Sequence, residues 1–86
     1  MKTIRHKVQD EYGFHARPVS QMVEICLKAV SHVKLEANGK QADMKRLFHV
    51  LELGVCQGED IVITIDGEDE DVLYEELRSY IETNKV

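Results

Sequence analysis

Residues 33–43 read VKLEANGKQAD, and they carry the clearest folding signal in the chain. The apolar residues before the central Asn-Gly pair alternate with polar ones: Val33, Leu35 and Ala37. This period of two predicts a strand with one buried face. Asn38-Gly39 predicts a tight hairpin turn, because both central residues of such a turn need positive φ angles. Residues 40–43 are therefore predicted to form the return strand.

Two further stretches show the same alternation and predict two more strands. In residues 2–8 the inward positions are Ile4, His6 and Val8. After the hairpin they are Ile61, Ile63 and Ile65, and this run ends at Asp66-Gly67. Strict alternation indicates that one face of the sheet is buried while the other faces solvent.

Three segments have the apolar spacing of amphipathic helices. The first runs from Ala16 to about Ala29, with the apolar stripe Val19, Met22, Val23, Cys26 and Leu27. The second spans residues 45–53 and ends at Gly54, a common helix-terminating residue. The third spans about 70–83, with the stripe Val72, Leu73, Leu77, Tyr80 and Ile81, and Asp69 is its predicted N-cap.

The predicted order of elements is β-α-β-β-α-β-α. It indicates an α+β fold of the open-faced β-sandwich type, in which a four-stranded antiparallel sheet is covered on one face by three helices. A chain of 86 residues has room for a single domain, residues 1–86. So small a body favours a shallow surface site over a deep pocket.

Composition excludes several classes of function. The chain has 11 basic and 16 acidic residues, for a net charge of −5, whereas nucleic-acid binders need a basic surface. The apolar runs are far shorter than the roughly 18 residues of a membrane span, and no secretion signal is visible, so we expect a cytoplasmic protein. Cys26 and Cys56 are then expected to be reduced thiols. No metal-ligand spacing is present, and neither a metal nor a cofactor is expected.

The segment Tyr12-Gly13-Phe14-His15-Ala16-Arg17-Pro18 is the candidate for chemistry. His15 directly precedes the first helix, whose first N–H groups have no partner within the helix and favour an anion. Pro18 lies in the first turn, where its missing N–H is tolerated. An imidazole nitrogen beside such a helix end can attack a phosphoryl group, and the N–H groups, with Arg17, can hold the phosphate. The alternative is that His15 is an ordinary polar loop residue.

Residues 13–18, GFHARP, resemble the active-site signature of the HPr family, the histidine-containing phosphocarriers of the bacterial sugar phosphotransferase system. The resemblance covers essentially the whole chain. Asn38-Gly39-Lys40 resembles the family's hairpin, and residues 45–54 resemble its second-helix signature. Residues 57–59 and 66–70 resemble the last strand and its exit turn.

The resemblance implies a phosphocarrier, a protein substrate rather than a self-sufficient enzyme. It would accept a phosphoryl group from phosphoenolpyruvate-charged enzyme I and pass it to enzyme IIA domains of sugar permeases. His15 would be phosphorylated on Nδ1, with Arg17 and the backbone N–H of Ala16 holding the phosphate. No oligomerisation is expected. The residues that match the family's partner surface are Leu47, Phe48 and Leu51, with Arg46, Ser20 and Val23 at its rim. Ordinary core packing is the alternative for Leu47 and Phe48.

One position departs from the family pattern. Gram-positive members have a regulatory serine at the start of the second helix, where this chain has Arg46. Control by the serine kinase is therefore expected to be absent, and Arg17, Lys45 and Arg46 are expected to form a positive rim beside His15. The second hypothesis is a mainly regulatory paralogue that binds a transcription factor or a metabolic enzyme. The retained His15 argues against it, because a purely regulatory form needs no nucleophile.

Overall fold

The computed structural model describes residues 1–86 and contains four strands and three helices in the predicted order. The strands are β1 (Lys2–Lys7), β2 (His32–Ala37), β3 (Lys40–Asp43) and β4 (Asp60–Asp66). The helices are α1 (Ala16–Leu27), α2 (Leu47–Leu51) and α3 (Glu70–Asn84). The predicted α+β architecture is confirmed.

The strands form one antiparallel sheet in the order β1-β4-β2-β3. Its register places one buried row across all four strands: Ile4, Ile63, Leu35 and Ala42. The adjacent row is Arg5, Val62, Glu36 and Gln41, none of which is fully buried. The predicted one-sided burial is therefore confirmed. Asn38 and Gly39 have φ angles of 55° and 73°, as the predicted hairpin turn requires.

The three helices and the buried sheet face share one hydrophobic core. Burial raises the pKa of the Cys26 thiol to about 12, so this group stays neutral and inert. Leu27 was expected in the core, but it is 58% exposed. It is the last residue of α1 and follows Cys26 by about 100° around the helix, which carries it past the edge of the buried stripe. Val72, the residue before the buried Leu73, is exposed for the same reason.

Helix α2 is shorter than the predicted 45–53. The Asp43 carboxylate accepts a hydrogen bond from the backbone N–H of Lys45 at 2.9 Å, and the Asp43 carbonyl accepts one from Arg46. These bonds hold residues 43–46 in a turn, so the helix begins at Leu47 and not at residue 45. At the other end, Leu53 and Gly54 donate to carbonyls three residues earlier, so the last turn tightens.

Asp69 occupies the N-cap position of α3, as predicted, but its side chain makes no cap hydrogen bond. Instead its carboxylate accepts hydrogen bonds from the backbone N–H groups of Val30 and Ser31, at 2.9 and 3.0 Å, and from the buried Ser31 hydroxyl. The loop after α1 offers three donors, which outcompete the helix's own N–H groups. Asp69 thereby ties this loop to the start of α3.

We predict that Asp69→Asn destabilises the fold at neutral pH and that this destabilisation becomes smaller as the pH falls below 4. The hydrogen bonds to Ser31 and Val30 lower the pKa of Asp69 below its usual 3.8. The ionised Asp69 carboxylate therefore stabilises the folded state fully above about pH 4. This stabilisation is lost as the pH falls through the pKa that Asp69 has in the folded protein. Urea unfolding of both proteins at pH 7 and pH 3 measures this. Glu75→Gln is the control, since Glu75 is exposed on the same helix without a hydrogen bond or ion pair. An equal destabilisation at both pH values would contradict the assignment.

The loop that precedes α1 is held against the segment that follows α2. Phe14 is buried, and its N–H donates to the Val55 carbonyl at 3.0 Å. Gly13 has a φ of +69°, and a Cβ there would lie 2.3 Å from the Val55 oxygen. The close approach therefore requires glycine, both for the backbone angle and for space.

We predict that Gly13→Ala destabilises the protein by more than about 1 kcal/mol, because the strained φ and the collision with Val55 add together. Gly54→Ala is a matched control, since Gly54 has a φ of +62° but open space around the Cβ position. Urea unfolding should show a smaller loss for Gly54→Ala. Equal losses would show that the contact with Val55 does not constrain the loop.

Candidate functional site

His15 occupies the N-cap position of α1, as predicted. Its backbone is extended, with φ −99° and ψ 177°, and its carbonyl accepts the first helical hydrogen bond, from Val19 at 3.2 Å. The backbone N–H groups of Ala16 and Arg17 donate to no group of the protein. Pro18, in the same turn, has no N–H to satisfy. The first turn also lacks an acidic side chain, so the positive end of the helix dipole is uncompensated there.

The imidazole ring of His15 is held from one side. Its Nε2 lies 3.1 Å from the Asp10 carboxylate, whereas Nδ1 makes no hydrogen bond. The Tyr12 ring meets the imidazole edge to face, with 5.8 Å between centroids. The His15 side chain is 36% exposed, so the ring is fixed in place and still accessible to a partner.

A shallow cleft of about 390 Å³ surrounds the ring. Its lining includes Arg17, whose guanidinium forms no hydrogen bond or ion pair with the protein. Tyr80 of α3 and Gln21 of α1 also line the cleft, and the Tyr80 hydroxyl donates a hydrogen bond to the Gln21 side chain. Burial raises the pKa of Tyr80, so its hydroxyl remains a donor. The cleft can accept a small anion with one side open to solvent.

Some residues of the predicted partner surface are exposed to solvent, and one is buried in the core. Phe48 is 75% exposed, Leu47 and Leu51 are half-buried beside it, and Ser20 is half-buried on α1. Helices α1 and α2 pack against each other, so these residues belong to neighbouring elements. Val23 is 6% exposed and belongs to the core, so its prediction as a rim residue is wrong. Val23 is part of the apolar stripe of α1, next to the fully buried Met22, and this position turns its side chain toward the core.

The expected positive rim beside His15 is incomplete. The Lys45 ammonium donates to the Ala29 carbonyl at 2.8 Å, just beyond the C-terminal end of α1, whereas His15 lies at its N-terminal end. The negative end of the helix dipole stabilises the Lys45 cation at this C-terminal end. The prediction that Lys45 lies beside His15 is therefore wrong. Arg46 is exposed at the N-cap of α2. Arg17 is the basic residue that lines the cleft around His15.

Three side-chain roles, two at His15 and one at the other end of α1, were not predicted. Asp10 and Tyr12 contact the His15 ring, and Leu27 adds an exposed apolar side chain on α1. An Asp in a loop commonly accepts from the N–H two residues later, and Asp10 does so with Tyr12 at 2.9 Å. That rule could have identified the turn. No periodic pattern connects Asp10 with His15 across an irregular loop.

No group of three or more His, Cys, Asp or Glu side chains is placed to hold a metal ion. None of the helices has the length and apolar character that crossing a membrane requires.

Comparison with known proteins identifies the family. A family model described as the PTS HPr component phosphorylation site matches residues 2–83. The phosphocarrier protein HPr of Lysinibacillus sphaericus is 35% identical over 81 residues, which cover 94% of this chain and 92% of that protein.

Solved structures give the same result. The histidine-containing phosphocarrier protein of a Mycoplasma superposes with a TM-score of 0.93 at 26% identity, over 96% of this chain and 94% of that one. HPr from Thermoanaerobacter tengcongensis superposes with a TM-score of 0.89 at 29% identity, over 96% and 93%. The catabolite repression protein Crh of Bacillus subtilis is also similar, with a TM-score of 0.73 at 29% identity over 96% and 95%. This chain therefore belongs to the HPr family, the phosphocarrier proteins of the phosphotransferase system.

Proposed function

We propose that His15 accepts a phosphoryl group from phosphoenolpyruvate-charged enzyme I and passes it to enzyme IIA domains of sugar permeases. The observation that carries this proposal is an accessible imidazole with an unpaired Nδ1 at the start of α1, beside the unpaired N–H groups of Ala16 and Arg17. The protein would act as a monomer in the cytoplasm. The two free thiols, Cys26 and Cys56, are compatible with that reducing compartment.

The chemistry follows from the groups around the ring. The lone pair of Nδ1 forms the new N–P bond while the bond between phosphorus and its donor group on enzyme I breaks. The phosphoryl oxygens then lie near the N–H groups of Ala16 and Arg17 and the guanidinium of Arg17. Charge-assisted hydrogen bonds from these donors stabilise the negative charge of the phosphoryl group. Transfer to enzyme IIA reverses the same steps.

Partner binding is assigned to the surface formed by Leu47, Phe48 and Leu51, with Ser20 and Arg46 at its rim. Phe48 is the natural anchor because its ring is large, apolar and exposed. A small interface of less than about 1,200 Å² around one anchor suits a carrier that must leave each partner quickly. Arg46 cannot accept a phosphoryl group from a serine kinase, so the proposal includes no kinase control at this position.

The first test is phosphorylation itself. Incubation with labelled phosphoenolpyruvate and catalytic amounts of enzyme I should give acid-labile label on the protein. His15→Ala should take up none. His32→Ala is the control, since His32 is exposed at the start of β2 and belongs to the opposite, solvent-facing side of the sheet. Equal labelling of His15→Ala and the unmodified protein would refute the assignment.

The second test addresses docking. Phe48→Ala should raise the KM for this protein in the enzyme I reaction about tenfold, equivalent to about 1.4 kcal/mol, with little change in kcat. Val72→Ala removes a similarly exposed apolar side chain from α3, and it should leave both constants unchanged. If the two variants behave alike, Phe48 is not the anchor.

A further inference from the structure

We propose that Asp10 is a positioning residue, which holds the proton of His15 on Nε2 and so leaves the lone pair of Nδ1 free for phosphoryl transfer. This inference rests on the proposed function of His15 and adds a second residue to it. It begins from one contact, 3.1 Å between the Asp10 carboxylate and Nε2.

The contact determines where the ring proton lies. An ionised carboxylate can only accept hydrogen bonds, so Nε2 must be the donor. The neutral imidazole then has its proton on Nε2 and its lone pair on Nδ1. The atom that faces away from Asp10 is thereby the nucleophilic one.

Asp10 is itself held by several contacts. One carboxylate oxygen accepts from the Tyr12 N–H at 2.9 Å, while the other faces His15. The backbone carbonyl of Asp10 accepts a hydrogen bond from the Gly13 N–H at 2.8 Å. The backbone N–H of Asp10 donates a hydrogen bond to the Val86 oxygen at 3.1 Å. The hydrogen bonds from Tyr12 and then from His15 lower the pKa of Asp10, which keeps the carboxylate ionised at neutral pH.

The same carboxylate assists both directions of transfer. When Nδ1 bonds to phosphorus and the donor's bond breaks, the Nε2 proton stays, so the ring acquires a positive charge. Asp10 stabilises that imidazolium from the side opposite the phosphoryl group, as the buried Asp of a Ser-His-Asp triad does. In the onward transfer the N–P bond breaks and returns its electron pair to Nδ1. Because the proton is still on Nε2, the departing ring is a neutral imidazole, a better leaving group than an anionic one.

Asp10→Asn tests this directly. The Asn carbonyl can keep the hydrogen bond from Tyr12, but its NH2 group then faces Nε2 and can only donate. Nε2 must become the acceptor, and the proton moves to Nδ1, where it blocks attack. Phosphorylation by enzyme I should be at least about tenfold slower than in the unmodified protein. Asp10→Ala, which offers no donor, should be impaired less than Asp10→Asn.

The readout that a merely structural role would not change is the ¹⁵N NMR spectrum of the His15 ring at pH above 8. It should show the proton on Nε2 in the unmodified protein and on Nδ1 in Asp10→Asn. Glu75→Gln is the control, since it removes the same charge from an exposed side chain that does not line the cleft around His15. It should change neither the tautomer nor the rate.

The outcomes separate this inference from the proposed function. If the unmodified protein is phosphorylated and Asp10→Asn matches Glu75→Gln in rate or in tautomer, Asp10 has no positioning role while the function of His15 stands. If the unmodified protein is not phosphorylated, the proposed function fails, and a proton on Nδ1 in its spectrum would overturn the Asp10 inference independently.

Discussion

The one-sided burial of the sheet is the constraint on which the site depends. A single buried row crosses all four strands, and it shares one core with the apolar stripes of the helices. Removing this surface from water is the main source of stability for a chain of this size. Helix α1 contacts both α2 and α3, and its Met22 and Cys26 are fully buried. It therefore cannot rotate without exposing them, and the residue that precedes it, His15, emerges at a defined place.

Local rules predicted the elements because each signal lies within a few residues. The Asn-Gly pair was enough to predict the positive φ angles at Asn38 and Gly39. The spacing of apolar residues was enough to predict the buried stripe of α1. Two polar side chains, by contrast, have partners far away in sequence that were not predicted. Asp69 accepts from Ser31, 38 residues earlier, and Lys45 donates to Ala29, 16 residues earlier. A local pattern cannot show that a distant backbone group competes for the same side chain.

The electrostatics of the site differ from what composition and motif indicated. A positive rim of Arg17, Lys45 and Arg46 beside His15 was expected, but the cleft around the ring is lined by only one of these residues, Arg17, together with the acidic Asp10 and Glu11. The imidazole therefore has both basic and acidic neighbours. In the proposed transfer, the phosphoryl group would meet Arg17 and the helix N–H groups near Nδ1, while the Asp10 carboxylate would compensate the charge that develops on the ring. The same histidine would then both accept and give up the phosphoryl group.

The most direct test of this account is the position of phosphorus on the histidine ring. The protein, labelled with ¹⁵N in its histidine rings, would be phosphorylated by phosphoenolpyruvate and enzyme I and observed by ³¹P and ¹⁵N NMR. The account predicts a single phosphohistidine, at His15, with phosphorus coupled to Nδ1 and the proton retained on Nε2. Phosphorus on Nε2, or on a histidine other than His15, would contradict it.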